Sequence, residues 1–272
     1  MMLKVNLHGE AFKHNIVNNL ISSTANKSPS HIEFVTDGSG LINLFVDTAI
    51  LDYKLIQTDK PSFGWLLESN CIHPELVKLF KKNLNYLNNF EKVFTHNREL
   101  ISLHNKFQFM FPTGYWVDEN TDLKKTKLIS MIASTKKNTK GQKIRNKVAK
   151  KYKNKVDIFG VGRNFIDKKE FGLSSYCFSI VVENDFTDDY FSEKLLDCFA
   201  LRTVPIYLGS KNIGKYFDVD GIISLQDFNF KNISFDLYAK KFYSIENNFE
   251  EVKKYYIPED LIYKKYFKKY DI

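Results

Sequence analysis

Short apolar runs alternating with stretches of helical spacing recur along the whole chain, and this alternation limits the fold more than any other feature. It is how α/β proteins read. In the first hundred residues strands are expected over 3–7, 32–35, 41–46 and 62–67, the last reading SFGWLL. Pro74 can open a helix, because its missing N–H would be unpaired in a first turn anyway, and Leu76, Leu79, Phe80, Leu84 and Leu87 follow at helical spacing. A strand over 92–95, a helix over 96–104 and a strand over 107–111 come next. From 112 to 126 the pattern breaks down, with PTGYWVDENTDLKKT mixing turn formers and charge as a linker would. Beyond it the spacing predicts a strand over 127–133, a helix over 141–153, strands over 156–159 and 176–182, a helix over 190–201, and strands over 204–208 and 222–225. Such repeated units predict parallel, doubly wound sheets, which bind ligands at the carboxyl ends of their strands. The expected organisation is a first lobe over 1–115, a linker over 116–126, a second lobe over 127–250 and a basic aromatic tail over 251–272.

With 272 residues, 43% of them hydrophobic, the chain can bury real cores, which excludes a disordered protein. Lys and Arg number 40 against 32 Asp and Glu, and the net charge of +8 suits phosphate-bearing ligands, nucleic acid or anionic lipid without choosing among them. Cys71, Cys177 and Cys198 are too widely spaced for a disulfide framework or a paired-thiol metal site, so a cytoplasmic location is expected. No signal-peptide core opens the sequence, and no window approaches the roughly 18 apolar residues of a membrane span. The tail, YYIPEDLIYKKYFKKYDI, reads either as a terminal helix packed on the body with a solvated basic face or as a peripheral, amphipathic contact with the inner face of an anionic membrane.

Chemistry concentrates after the strand SIVV. Glu183-Asn184-Asp185 ends it, and Asp188-Asp189-Tyr190-Phe191-Ser192-Glu193-Lys194 leads into the next helix. Helical phase puts Phe191, Leu195, Phe199 and Ala200 toward the sheet, which leaves Glu193 and Lys194 free to face a ligand. A helix N-terminus favours phosphate, and Lys194 adds a full charge. On periodicity alone, an exposed charged turn fits Glu193-Lys194 equally, and Tyr190 fits a half-buried core position. Asp188-Asp189 reads as capping of the helix start.

The string EN-x(4)-DY-x(2)-EK-x(2)-D, closed by Thr203-Val204-Pro205-Ile206-Tyr207-Leu208-Gly209, resembles the signature segment of the α-1,3-fucosyltransferases, glycosyltransferase family 10. Upstream, SMIASTKKNTKGQKIRNKVAKKY resembles the family's strand, polar loop and arginine-bearing helix, with KVDIFGVG as the following strand. Gly64-Trp65-Leu66-Leu67-Glu68-Ser69 resembles the segment in which a strand ends in Glu-Ser-Pro, here with Asn70 in place of the proline. Val93-Phe94-Thr95-His96 and Phe111-Pro112-Thr113-Gly114 keep the family's order. The similarity runs from about Phe63 to Leu225 and is densest between Tyr176 and Gly209. Two departures stand out: Asp185 where serine is usual, and Arg202 where glycine is common.

The resemblance implies two Rossmann-like lobes of the GT-B type with a cleft between them, the first serving the acceptor and the second the nucleotide sugar. It implies an inverting transfer of a sugar, fucose from GDP-fucose, to a hydroxyl of a glycan acceptor. Glu68 is then the catalytic base, Arg145 and Lys194 the donor diphosphate ligands, and Asn184, Tyr190 and Glu193 the nucleoside and sugar ligands. A guanidinium fork binds two phosphate oxygens at once and stays charged. An acid at Asp185 would repel a diphosphate or bind a sugar hydroxyl. The expected partners are the nucleotide sugar and the acceptor glycan, with no cofactor and no metal. Asp-x-Asp is absent, and His8, His14, His31, His73, His96 and His104 have no close ligand spacing. The alternatives are another nucleotide-sugar donor, a catalytically silent carbohydrate-binding protein, or a basic nucleic-acid-binding protein. The last lacks the interleaved aromatics of a single-strand binder, so no nucleic acid is expected as partner.

Overall fold

The computed structural model describes residues 2–13, 15–55 and 59–271, so His14 lies outside the described residues. The chain divides into two compact units, Met1–Gly114 with Ile257–Ile272, and Tyr115–Tyr256.

The first unit is built on β1 (Leu3–His8), β4 (Ile32–Val35), β5 (Ile42–Val46), β6 (Ser62–Leu66), β7 (Lys92–Thr95) and β8 (Phe107–Phe109), with a small antiparallel hairpin of β2 (Ile16–Val17) and β3 (Leu20–Ile21) between the first two. The six long-range strands form one sheet in the order β4-β1-β5-β6-β7-β8, every pairing parallel. β5 is buried along its whole length, as a parallel strand covered on both faces must be. On one face α1 (Pro74–Lys82) and α2 (Arg98–Leu103) pack Leu76, Phe80 and Leu100 against Phe45, Val93 and Phe107. The second helix begins two residues after the expected position, because the Asn97 side chain accepts the Leu100 N–H and so stands as the cap.

The second unit has a five-stranded parallel sheet in the order β10-β9-β11-β12-β13, from β9 (Lys127–Ile132), β10 (Asp157–Phe159), β11 (Tyr176–Val182), β12 (Val204–Leu208) and β13 (Ile223–Ser224). β11 is central and wholly buried, with Phe178 and Ile180 in a core shared by Met131, Ile158 and Ile206. Its helices are α3 (Lys140–Tyr152), opened by a Thr139–Gln142 capping box, α4 (Glu193–Ala200), α5 (Phe235–Lys240) and α6 (Phe242–Val252).

The expected separate tail over 251–272 is not what forms. Its first residues close the second unit, and from Ile257 the chain belongs to the first. There α7 (Pro258–Ile262) runs into a helical turn ending at Tyr270. Phe267, fully buried, packs on Phe63 and Phe94 at ring distances of 4.7 and 6.2 Å, and Tyr263 stacks on His31 at 4.6 Å. Polar ties reinforce this, since the Ser23 N–H donates to Glu259 Oε1 at 2.6 Å and the Ser30 N–H to Asp260 Oδ1 at 2.9 Å. The expected linker is likewise part of the second unit: Tyr115 and Val117 are buried, and the Tyr115 N–H donates to the Tyr255 carbonyl. Because Phe267 fills the first unit's core, Phe267→Ala should lower stability by about 3–5 kcal/mol in urea unfolding, whereas Lys268→Ala on the exposed face should change it by no more than about 0.5 kcal/mol.

Candidate functional site

The carboxyl end of β11 organises the second unit's polar residues. Gly141, in the first turn of α3, lies so close to this end that a Cβ would fall 1.9 Å from the Glu183 carbonyl oxygen, so only glycine allows the approach. One turn further, Arg145 reaches the same place: Nε and Nη2 donate to the Val182 carbonyl at 3.0 and 2.5 Å, and Nη2 also donates to Asn184 Oδ1 at 3.0 Å. Arg145 is 5% exposed, and burial lowers its pKa, opposed by the charges of Glu183 and Glu193. The guanidinium stays charged even so. Two of its nitrogens are held by the strand end, and Nη1 takes no part in these bonds.

Glu183 is not a ligand-facing acid but a buried clamp. Its Oε1 accepts the Ser192 N–H at 3.0 Å and its Oε2 the Ser192 hydroxyl at 2.6 Å. Burial raises its pKa. Ser192 also caps α4, accepting the Lys194 N–H at 3.4 Å, so the helix begins at Glu193 and not near Tyr190 as the apolar phase predicts. The expected capping by Asp188-Asp189 is corrected in the same way. Asp189 instead accepts the Tyr216 hydroxyl at 2.6 Å, and the Asp188 carbonyl accepts from Ser210 and Asn212.

Glu193 and Lys194 open α4 together, Lys194 Nζ lying 3.0 Å from Glu193 Oε1 and 3.1 Å from Ser192 Oγ. Burial works against the Glu193 carboxylate, but Lys194, then Lys169, more than offset it and hold its pKa at about 2. Lys169 stands 3.6 Å from Glu193 Oε1 and 2.7 Å from Asp197 Oδ2, with its Nζ 4.3 Å from the centre of the Trp116 ring. Burial opposes its charge too, yet Asp197 and Glu193 keep the ammonium above its usual range. Asp197 also accepts the Trp116 backbone N–H at 2.6 Å. Arg145, Lys169, Glu193, Lys194, Asp197 and Trp116 all line one cavity of about 410 Å³.

Of the sequence-predicted residues in this unit, Arg145, Glu193 and Lys194 therefore share a cavity. Asn184 meets it through Arg145, and Tyr190 is buried. Asp185 turns its Oδ1 back on the Phe186 N–H at 2.7 Å. Lys169, Trp116 and Asp197 were not assigned a role from the sequence. Asp197 had a usable signal, since it closes the EK-x(2)-D string at the i+4 position from Glu193 and so shares its helix face. Lys169 lies in a lysine-rich stretch and Trp116 in the presumed linker, where nothing local marks them.

Arg202 has φ +51°, the left-handed conformation that glycine adopts without strain. Its side chain offsets that strain, donating to Glu246 at 2.5 Å and lying 3.6 Å over the Phe249 ring. Beneath the site, Lys125 Nζ donates to the Leu173 and Leu201 carbonyls at 3.1 and 2.8 Å and to Thr203 Oγ1 at 2.8 Å, joining the ends of the segments that carry Lys169 and α4.

Glu68 belongs to the first unit, just past β6 at the carboxyl end of that sheet, half-buried, with its N–H on Asp47 Oδ1 at 3.1 Å. Three of the described histidines have local partners. His8 stacks on Phe45 at 4.4 Å, His73 Nδ1 is 3.1 Å from Glu75, and His104 Nδ1 accepts the Lys106 N–H. Among the described residues no group of three or more His, Cys, Asp or Glu is arranged to hold a metal ion. No described helix is long and apolar enough to cross a membrane.

The profile of glycosyltransferase family 10 (fucosyltransferase), C-terminal part, matches residues 122–268, more than half the chain. An alpha-(1,3)-fucosyltransferase FucT from Helicobacter pylori is 37% identical over 68 residues, a stretch that covers 25% of this chain and 14% of that relative. A crystal structure of an alpha1,3-fucosyltransferase is similar with a TM-score of 0.52 at 16% identity, over 99% of this chain and 88% of the other. A structure of an alpha1,3-fucosyltransferase with GDP gives 0.50 at 15%, over 99% and 89%. The two parallel-sheet α/β units therefore have the GT-B fold of these enzymes.

Lys125 generates a test. Its folded pKa, lowered by burial to about 7, lies below the roughly 10.4 of an unfolded lysine, so between these values the unfolded chain binds more protons. Stability should rise with pH from about 7 to 10, and thermal melts of Lys125→Met should lose that slope.

Proposed function

The chain belongs to glycosyltransferase family 10, the fucosyltransferases, and we propose that it transfers fucose from GDP-fucose to a hydroxyl of a glycan acceptor with inversion at the anomeric carbon. One observation supports this reading most: Arg145, Glu193 and Lys194, three of the residues that the family resemblance assigns to the donor, line a single cavity at the carboxyl end of a parallel sheet, where such sheets bind nucleotides.

In this reading the acceptor hydroxyl attacks the anomeric carbon from the face opposite the diphosphate while the Glu68 carboxylate takes its proton. The bond from the anomeric carbon to the diphosphate oxygen breaks, and the departing GDP carries the extra negative charge. Arg145 and Lys194 stabilise that charge, with Lys169 as a third cation in the same cavity. Lys194 exchanges its partnership with Glu193 for a phosphate oxygen, which frees a Glu193 oxygen to accept from a sugar hydroxyl. Arg145 offers Nη1, its other nitrogens staying on the strand end. Asn184 serves the nucleoside and sugar while fixing Arg145, and Tyr190, buried in the unbound protein, joins the grip only by turning outward. These cations can serve the leaving group without a metal, and transfer measured in excess EDTA should keep its rate.

The proposed location is the cytoplasm, a reading supported by the wide spacing of Cys71, Cys177 and Cys198. With the tail's Phe267 and Tyr263 buried in the first unit, any contact with an anionic membrane rests on outward lysines such as Lys264 and Lys268, and vesicle binding should vanish at high salt.

Two measurements test the activity. GDP should raise the melting temperature and UDP should not; a shift with UDP alone would transfer the proposal to another donor. Glu68→Ala should abolish transfer and leave the GDP shift intact, while Arg145→Met and Lys194→Met should each cost on the order of a hundredfold in kcat. Transfer that survives Glu68→Ala would overturn the base assignment.

A further inference from the structure

Two backbone amides at the end of β6 share one acceptor. The β5–β6 ladder closes at Val46 and Trp65, and Asp47 follows immediately. Its Oδ1 accepts the Leu67 N–H at 2.8 Å and the Glu68 N–H at 3.1 Å. To present this oxygen the Asp47 backbone takes φ +49°, the left-handed region that Asp, Asn and Gly enter far more readily than other residues. The residue is 5% exposed.

We propose that Asp47 is the positioning residue for the catalytic base: its carboxylate extends the ladder by side chain, fixing the backbone from which Glu68 projects. The proposal rests on the reading of Glu68 as base. What is asked of Asp47 is acceptance at one oxygen, not charge. Burial pushes its pKa up to about 6, the Glu68 N–H pulling down, the Glu68 charge pushing up, and His73 and the Leu67 N–H pulling down. Protonation on Oδ2 still leaves Oδ1 as an acceptor. Asparagine offers the same oxygen and the same tolerance of positive φ. Glycine offers the conformation alone, so the pair separates the hydrogen bonds from the backbone turn.

The experiment compares Asp47→Asn, Asp47→Gly and Glu68→Gln in steady-state transfer from GDP-fucose and in hydrogen–deuterium exchange of the segment holding the Leu67 and Glu68 amides. Asp47→Asn should keep both the slow exchange and the kcat. Asp47→Gly should exchange fast there and lose kcat on the order of a hundredfold, the scale of a small misplacement of a reacting group, with the donor KM unchanged. If Asp47→Gly keeps its kcat while Glu68→Gln is inactive, the role of Asp47 is wrong and the base stands. If Glu68→Gln remains active, the base assignment falls and the role of Asp47 with it. Should Asp47→Gly fail to fold, Asp47→Asn decides alone, since loss of either the slow exchange or the activity in that variant overturns the proposal.

Discussion

The arrangement of the second unit depends on a buried carboxylate closing on a serine. Glu183 at the end of β11 takes both the N–H and the hydroxyl of Ser192, and in doing so fixes where the loop between them ends and where α4 begins. The same serine caps the helix and holds Lys194 Nζ. The direction of Glu193 and Lys194 is thus set by a group that faces neither solvent nor the cavity. Arg145 reinforces the joint from the other side by bonding Val182 and Asn184 on either flank of Glu183. An isolated buried carboxylate would be costly, but hydrogen bonds from the segment it anchors offset much of that cost.

This device recurs. Asp47 accepts two amides past β6, Asp197 accepts the Trp116 amide, and Glu259 accepts the Ser23 amide. In each case a buried acid takes up backbone donors of a segment distant in sequence, at a place where no strand pairing is available to satisfy them. A parallel sheet leaves many such places, because every strand ends in a loop at the same edge. A side-chain acceptor fixes one loop conformation among many. Residues on such loops then hold the geometry that chemistry requires, although loops as a class are mobile.

The strands were legible because parallel strands buried on both faces must be continuous apolar runs, and YCFSIVV or INLFV admit little else. Arg145, Glu193 and Lys194 could be named together only through the resemblance of their segments to the family's motifs, since apolar spacing alone leaves them as charged helical positions. Three things could not be read. The start of α4 was missed because Phe191 falls in helical phase with Leu195 and Phe199, while Ser192 is extended at φ −129°. The destination of the tail was missed because its aromatic spacing specifies a buried face but not which sheet buries it. Lys169 and Asp47 were missed because their partners lie 28 and 20 residues away, and nothing local distinguishes them from surface charges.

The charge balance of the second unit's cavity depends on these burials. Lys136, Arg145, Lys169 and Lys194 bring four cations to its lining and Asp167, Glu193 and Asp197 three acids, with Glu183 adjoining as a fourth. Were all eight ionised, the set would be neutral and would have little attraction for a diphosphate. The acids are not equivalent, however. Glu193 has two lysines beside it and is held at about 2, whereas burial raises the pKa of Glu183 and of Asp197, the latter despite Lys169. Glu183 instead is bonded by the N–H and hydroxyl of Ser192, and burial, opposed first by Lys194, raises its pKa. The lining of the cavity alone, without the acid that stands behind Ser192, has one cation more than it has acids, the balance that suits the anionic ligand proposed for it.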